Sequence, residues 1–248
     1  MNSEPDSTST PASAGVFATT RWTVVMQAGT DSPESRQALE TLCRNYWYPL
    51  YAYVRRQGHS PHDAQDLTQS FFARLLEKNY LADVQREKGR FRSFLLASLK
   101  HFLANEWDRE RAMKRGGGKR LIPLDDDSAE SRYKLEPRDD LSADKIYERR
   151  WALTLLDQVL SNLRAEFQAD GKLKEFEVLK QYLSAGRTSV SYAHAAEKLG
   201  MTEGAVKVAV HRLRKRYREL LRAEIAQTVA TASEIDAEIR YLFAALSG

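Results

Sequence analysis

The sequence has few of the features that mark secreted, disulfide-bonded or membrane-spanning proteins. Cys43 is the only cysteine among 248 residues, so an intrachain disulfide is excluded. No apolar run approaches the roughly 18 residues of a membrane-spanning helix. The amino terminus opens without a basic segment or an apolar stretch, so no secretory signal is predicted there and a cytoplasmic location is expected.

Patterns that indicate catalysis or metal binding are also scarce. His59 and His62 form an HxxH pair without a further ligand cluster, which favours a surface pair over a metal site. The run RGGGKR at residues 115–120 has no preceding strand and lacks the GxxxxGK[ST] spacing of a phosphate-binding loop. No Ser/His/Asp or Cys/His arrangement stands out. The sequence therefore predicts no enzymatic activity, no cofactor and no metal.

Charge is distributed unevenly along the chain, although the net charge is only +4. Residues 86–120 contain 11 basic and 4 acidic side chains, and residues 207–222 contain 7 basic and 1 acidic. Between them, residues 121–148 contain 9 acidic and 4 basic side chains. Two basic blocks separated by an acidic one suggest two contact surfaces for a polyanion. The alternative is that the basic runs are solvated helix faces.

The spacing of apolar residues predicts an all-α protein with two helical domains. Apolar residues recur every three or four positions, and the alternation typical of strands is nearly absent. Ser60 is predicted to cap a helix that has Pro61 in its first turn. The predicted boundaries are a disordered tail at 1–18, a first domain at 19–115, a flexible acidic linker at 116–145, a second domain at 146–224 and a helical extension at 225–248. We expect the amphipathic extension to pack on the second domain, with a partner protein as the alternative.

Residues 191–221 have the pattern of a helix-turn-helix. Ala196, Gly200 and Val206 supply the small residue of the first helix, the glycine of the turn and the β-branched residue of the second helix. Thr202 is predicted to cap the second helix, and Glu203 suits the positive end of its dipole. The polar side chains of that helix would then face outward, where they can enter a major groove. The alternative is an ordinary helical hairpin with a solvated basic face.

On these residues the chain resembles the sigma-70 family of bacterial RNA polymerase sigma factors. SYAHAAEKLGMTEGAVKVAVHRLRKRYREL is similar to region 4, which binds the −35 promoter element. YWYPLYAYVRRQGHSPHDAQDLTQSFFARLLE resembles the region 2 helices that bind the polymerase β′ clamp, and GRFRSFLLASLKHFLANEWDRERAMKR resembles the segment that melts and reads the −10 element. Two such regions without a region 3 are similar to the extracytoplasmic-function (ECF) class. The resemblance spans about residues 20–224.

The resemblance implies three sets of functional residues. The −35 contacts would come from Thr202, Glu203, Lys207, Val208, His211, Arg212, Arg214 and Lys215. The −10 contacts and the melting surface would come from Phe91, Arg92, Lys100, His101, Asn105, Trp107, Arg109 and Arg111. Core polymerase would be bound through Asp63, Gln65, Asp66, Gln69 and Phe72. His101 and Asn105 depart from a common Asn and Asp, so no −10 base preference is implied. In the second domain, Val208-Ala209 replaces a common Ser-Arg pair, which removes one phosphate contact that the family makes.

The function that follows from the resemblance is promoter recognition and opening in complex with core RNA polymerase, through its β′ clamp and β flap, without a membrane partner. An anti-sigma factor or a Ser/Thr kinase is a further candidate partner. In the run DAQDLTQS, residues 63–70, two acids common in the family are missing, and a phosphate on Thr68 would restore negative charge. Alternatively, Thr68 packs at the edge of the apolar stripe. The alternative function is a stand-alone helix-turn-helix regulator that uses residues 20–115 as a sensing domain.

Overall fold

The computed structural model describes residues 33–76, 90–112, 126–134, 141–184, 191–229 and 231–247. Within these ranges every regular element is helical, which confirms the all-α prediction. The helices are α1 (Pro33–Arg56), α2 (Pro61–Leu76), α3 (Phe91–Ala112), α4 (Asp126–Lys134), α5 (Ala143–Ala169), α6 (Leu173–Leu179), α7 (Gln181–Ser184), α8 (Tyr192–Leu199), α9 (Glu203–Ala226) and α10 (Ile235–Ser247), with a 3-10 turn at Ala232–Glu234. None of these helices could span a bilayer. The predicted disordered tail at 1–18 lies outside the described residues.

Local capping signals begin the helices where the sequence predicts. The Ser60 hydroxyl accepts a hydrogen bond from the Asp63 backbone N–H at 3.2 Å, in front of Pro61. The Thr202 hydroxyl accepts one from the Ala205 N–H, also at 3.2 Å. Each cap satisfies an N–H that has no partner within its helix, so the starts of α2 and α9 are determined locally.

Helix α5 connects two hydrophobic clusters. Its 27 residues extend over about 40 Å at about 1.5 Å per residue. The first half buries Tyr147, Trp151 and Leu155 in a cluster that also contains residues of α1, α2, α3, α4, α10 and the end of α9. The second half buries Leu163 against α6, α8 and the beginning of α9. Helices α1–α3 therefore share one core with α5 and α10.

Residues 126–134 form a helix where a flexible linker is predicted. Ala129 of α4 is buried in the larger cluster, and the Glu130 carboxylate accepts hydrogen bonds from the Tyr51 hydroxyl at 2.7 Å and from Arg55 Nε at 2.9 Å. The Arg132 guanidinium lies 4.0 Å from the centre of the Tyr48 ring. These contacts to α1 order a segment that has little apolar periodicity of its own.

The carboxy-terminal extension is divided into two helical segments instead of forming one helix over 225–246. Helix α9 continues to Ala226, and a capping box begins the next segment, with the Thr231 N–H donating to Glu234 Oε2 at 2.9 Å. The TASE sequence at 231–234 is the signal for this new start. Helix α10 then packs along α5, as expected for the extension, and also contacts the beginning of α3 through Glu238.

Candidate nucleic-acid interface

Helices α8 and α9 have the packing of a helix-turn-helix. Gly200 ends α8 with a φ of 65°, a left-handed conformation that glycine adopts without strain. Ala196 and Val206 are buried in the same cluster, beneath the crossing of the two helices. The three residues that define the sequence pattern therefore occupy the positions that the pattern requires.

The first turns of α9 present an exposed, mostly basic face. Val208 is 50% exposed although it is apolar, and Lys207 Nζ lies 5.6 Å from the centre of the Tyr192 ring in α8. The exposed members of the predicted −35 set are Thr202, Glu203, Lys207, Val208, His211, Arg212 and Lys215. A helix with cations on one face and an open amino-terminal end can enter a major groove and contact the flanking phosphates.

Arg214 does not belong to this exposed face. Its Nε and Nη2 both donate to the Tyr182 carbonyl oxygen, at 3.0 Å and 2.7 Å, so the side chain links α9 to α7. Arg216, which is outside the predicted set, binds the Glu166 carboxylate of α5 at 2.6 Å and thereby lowers the pKa of Glu166. Both arginines fix α9 in place, and Arg214 makes a positioning contact instead of the predicted contact with DNA.

The second candidate surface lies on the middle of α3. Trp107 is 59% exposed and, with Tyr53, Leu67, Lys100 and Leu103, lines a cavity of about 520 Å³. Aromatic and apolar walls with a lysine nearby are suited to an unstacked base and its phosphate. Two further predicted residues, His101 and Asn105, lie one turn apart, with the Asn105 amide nitrogen 3.1 Å from His101 Nδ1. The side chains of Arg109 and Arg111, at the end of α3, lie outside the described part of the chain.

Phe91 and Arg92, also predicted to contact DNA, are inside the protein. Phe91 is fully buried and meets the Tyr46 ring edge-on, with 5.4 Å between the ring centres. Arg92 is 4% exposed, and its Nε lies 2.7 Å from Glu238 Oε1 of α10. Arg92 is covered by α5 and α10, whereas Phe91 packs against α1, so neither side chain can contact DNA in this arrangement.

The predicted polymerase-binding residues on α2 are divided between surface and interior. Asp63 and Asp66 are exposed, with His62 Nδ1 3.3 Å from the Asp66 carboxylate. Gln69 is half-buried, whereas Gln65 and Phe72 are buried. The two exposed carboxylates are spaced three residues apart on one helix.

Thr68 is fully buried, and its hydroxyl donates to the Ala64 carbonyl oxygen at 2.7 Å. This is the packing alternative of the sequence analysis, and the hydroxyl is closed to a kinase in this arrangement. Elsewhere in the described ranges, no group of three or more His, Cys, Asp or Glu side chains is placed to hold a metal ion.

Comparison with known proteins gives one relationship. The chain is 26% identical over 195 residues to the ECF RNA polymerase sigma factor SigE of Mycolicibacterium smegmatis, a match that covers 78% of this chain and 65% of that protein. The chain is thus similar to an ECF sigma factor and spans 65% of the length of this relative. No family model and no solved structure matches the chain.

The aligned segment is too long to involve the helix-turn-helix alone. A match that covers 78% of 248 residues must include the middle of the chain, and therefore α2, α3 and α5. The similarity to this ECF sigma factor therefore includes the candidate surface on α3.

Proposed function

We propose that this chain is a sigma factor that binds core RNA polymerase, directs it to promoters with −35 and −10 elements, and promotes opening of the DNA. The carrying observation is that one chain combines a helix-turn-helix with a basic outer face and a separate aromatic cavity beside Lys100. The first surface suits duplex DNA and the second suits unpaired bases. The similarity to an ECF sigma factor supports the combination.

In this proposal residues 146–224 are region 4 and α9 is its recognition helix. Lys207, His211 and Arg212 are exposed on its first three turns, where side chains reach base edges and flanking phosphates. Arg214 and Arg216 hold α9 on α7 and α5, so the exposed face has a fixed orientation. A rigid support of this kind favours specific contacts because less side-chain and backbone freedom is lost on binding.

Residues 19–115 are region 2 in the same proposal. Trp107 stacks against a base that has left the duplex, and Lys100 neutralises its phosphate after releasing Asp144, to which it is paired at 2.8 Å. Asp63 and Asp66 bind basic residues of the β′ clamp, and region 4 binds the β flap. An anti-sigma factor or a Ser/Thr kinase that acts on Thr68 would regulate these contacts; phosphorylation of Thr68 requires α2 to open first, because the hydroxyl is buried.

The decisive experiment compares DNA binding with and without core polymerase. We expect the purified chain to co-purify with core polymerase and to support initiation from a promoter only in that complex. Asp63→Asn combined with Asp66→Asn should weaken co-purification, with Asp170→Asn, an exposed carboxylate at the end of α5, as the matched control. Tight, sequence-specific binding of promoter duplex by the chain alone, without any binding of core polymerase, would instead establish the stand-alone regulator.

A further inference from the structure

The carboxy-terminal extension contributes a buried carboxylate to the beginning of α3. Glu238 of α10 is fully buried, with Arg92 Nε 2.7 Å and Arg90 Nε 2.8 Å from its oxygens. A charge in the interior is tolerated only when it is paired, because its lost hydration must be replaced. The extension and α3 therefore depend on each other for this pairing, although 146 residues separate Arg92 from Glu238.

Arg92 connects three parts of the molecule through this pair. Its guanidinium lies 3.8 Å from the centre of the Tyr241 ring in α10, and 5.0 Å from that of Trp151 in α5. Its carbonyl oxygen accepts a hydrogen bond from the buried Tyr147 hydroxyl of α5 at 2.9 Å. The Phe91 N–H donates to the Thr228 carbonyl oxygen, just after α9, at 3.1 Å. Region 2, region 4 and the extension are thus joined at the first residues of α3.

We propose that α10 is a built-in inhibitory clasp, which holds region 2 against region 4 and keeps Arg92 away from promoter DNA until core polymerase binds. The clasp consists of α10 with its Glu238–Arg92 and Glu238–Arg90 ion pairs. This proposal rests on the proposed sigma function. It gives the extension, which the family resemblance leaves unexplained, a role in controlling the same sites.

The dimensions of a promoter require the closed arrangement to open. The −35 and −10 positions are 25 base pairs apart by definition, which is about 85 Å of duplex at 3.4 Å per base pair. A compact chain of this length has a radius of gyration of about 18 Å and is therefore about 50 Å across. Regions 2 and 4 cannot contact both elements while they share one core, so their separation is part of binding.

Helices α1 and α5 contain buried polar atoms that have no hydrogen-bond partner in the described part of the chain, and such atoms favour separation of the two helices. Neither amide atom of buried Asn45 in α1 has a hydrogen-bond partner, and the same holds for Trp151 Nε1 and Thr154 Oγ1 of α5 within the described ranges. Unpaired buried polar atoms oppose closure, because water would satisfy them in the open state. Closure then depends on additional contacts, and the clasp supplies ion pairs for it.

The first test measures the distance between the clasp and region 2 directly. Dyes are attached at Ala97→Cys of α3 and Ser247→Cys of α10, both exposed positions, in a Cys43→Ser background. We expect high energy transfer in the free chain and a clear loss of transfer when core polymerase and promoter DNA are added. Unchanged transfer in a complex that has demonstrably formed would overturn the clasp.

The second test removes the charge of Glu238 with a matched control on the same helix. Glu238→Gln should lower transfer in the free chain and reduce the concentration needed for half-maximal polymerase binding about tenfold, since a larger fraction of the chain is then binding-competent. Asp236→Asn removes the same charge from a carboxylate that binds Arg222 of α9 but is 63% exposed, so this ion pair contributes little to holding α10. This control should change both quantities much less than Glu238→Gln does.

The outcomes separate the clasp from the sigma function. Equal transfer in the Glu238→Gln and Asp236→Asn free chains, with native helix content by circular dichroism, would contradict the clasp without any use of polymerase. If Glu238→Gln fails to fold, the clasp is still tested by the energy transfer of the labelled chain that retains Glu238, measured before and after polymerase and promoter DNA are added. Absence of polymerase binding by every variant, together with a transfer difference in the free chains, would retain the Glu238-dependent contact between α10 and α3 and refute the sigma function.

Discussion

The two candidate DNA surfaces differ in how they are positioned and covered. The outer face of α9 is open, and its supporting contacts come from α5, α7 and α8 within region 4. The beginning of α3 is covered by α5 and by α10, which follows region 4 in the chain. The outer face of α9 is therefore exposed in the free chain, whereas Phe91 and Arg92 at the beginning of α3 are buried.

The largest expected effect is the loss of stability when the Arg92 side chain is removed. Arg92→Ala leaves the Glu238 carboxylate buried with Arg90 as its remaining partner, and we expect the free energy of unfolding to fall by about 3–5 kcal/mol. Arg212→Ala on the open face of α9 is the control, with an expected change of less than about 0.5 kcal/mol. Urea denaturation of both variants checks this. Equal stability of the two variants would mean that Arg92 is not held in a closed core.

A second effect concerns the cavity beside Trp107. Trp107→Ala removes a stacking surface worth about 1–3 kcal/mol per base, so open-complex formation should fall accordingly while polymerase binding is retained. Neutralising Lys100, Arg109 and Arg111 should act in the same direction.

A promoter template with a premelted bubble distinguishes a defect in DNA melting from a defect in protein folding in these region 2 variants. The bubble template should restore most of the lost activity, because the cost of unstacking has already been met. Permanganate footprinting of the opened strand measures the defect on the closed template. Failure of the bubble to rescue would indicate that these residues stabilise region 2 or bind polymerase instead.

The contacts that support the two surfaces differ in sequence separation, and only the short-range contacts could be predicted from the sequence. Ser60, Thr202 and Gly200 act on residues a few positions away, so capping and turn signals predict them. Arg92 and Glu238 are 146 residues apart, and no local pattern indicates that a tail carboxylate covers the beginning of α3. The resemblance assigned Phe91 and Arg92 to DNA because it considers region 2 without this extension.

Helix α4 shows the same limitation in the linker. Its sequence is acidic and lacks an apolar stripe, so the local composition favours a flexible segment. Glu130 becomes ordered through Arg55, 75 residues earlier in the chain. The missed break between α9 and α10 is different, since the TASE capping box was readable in the sequence.

A third expected effect tests whether the exposed face of α9 contacts the −35 element. Lys207→Ala and Arg212→Ala should each weaken promoter-dependent transcription by about 1–3 kcal/mol per lost contact. A contact with phosphate should also reduce the salt dependence of DNA binding, lowering the slope by about 1. Lys174→Ala, an exposed lysine of α6, is the control and should leave both quantities unchanged. Unaltered transcription from a −35-dependent promoter after both substitutions would contradict the role of α9.

The smallest expected effect tests whether α4 belongs to the closed body. The hydrogen bond from Arg55 lowers the pKa of Glu130 below its usual value of about 4.5. A carboxylate with a lowered folded-state pKa stabilises the protein above its unfolded pKa and loses this contribution as the pH falls through the folded value. The stability advantage of the parent over Glu130→Gln should therefore be present at pH 7, at less than about 1 kcal/mol, and be lost progressively as the pH falls below about 4.5 and through the lowered folded-state pKa. Urea denaturation at pH 7 and at a series of lower pH values measures it. Glu166→Gln removes a carboxylate that binds Arg216 but is 40% exposed, compared with 17% for Glu130, and should show a smaller change. A difference between parent and Glu130→Gln that does not vary with pH would place α4 outside the closed body.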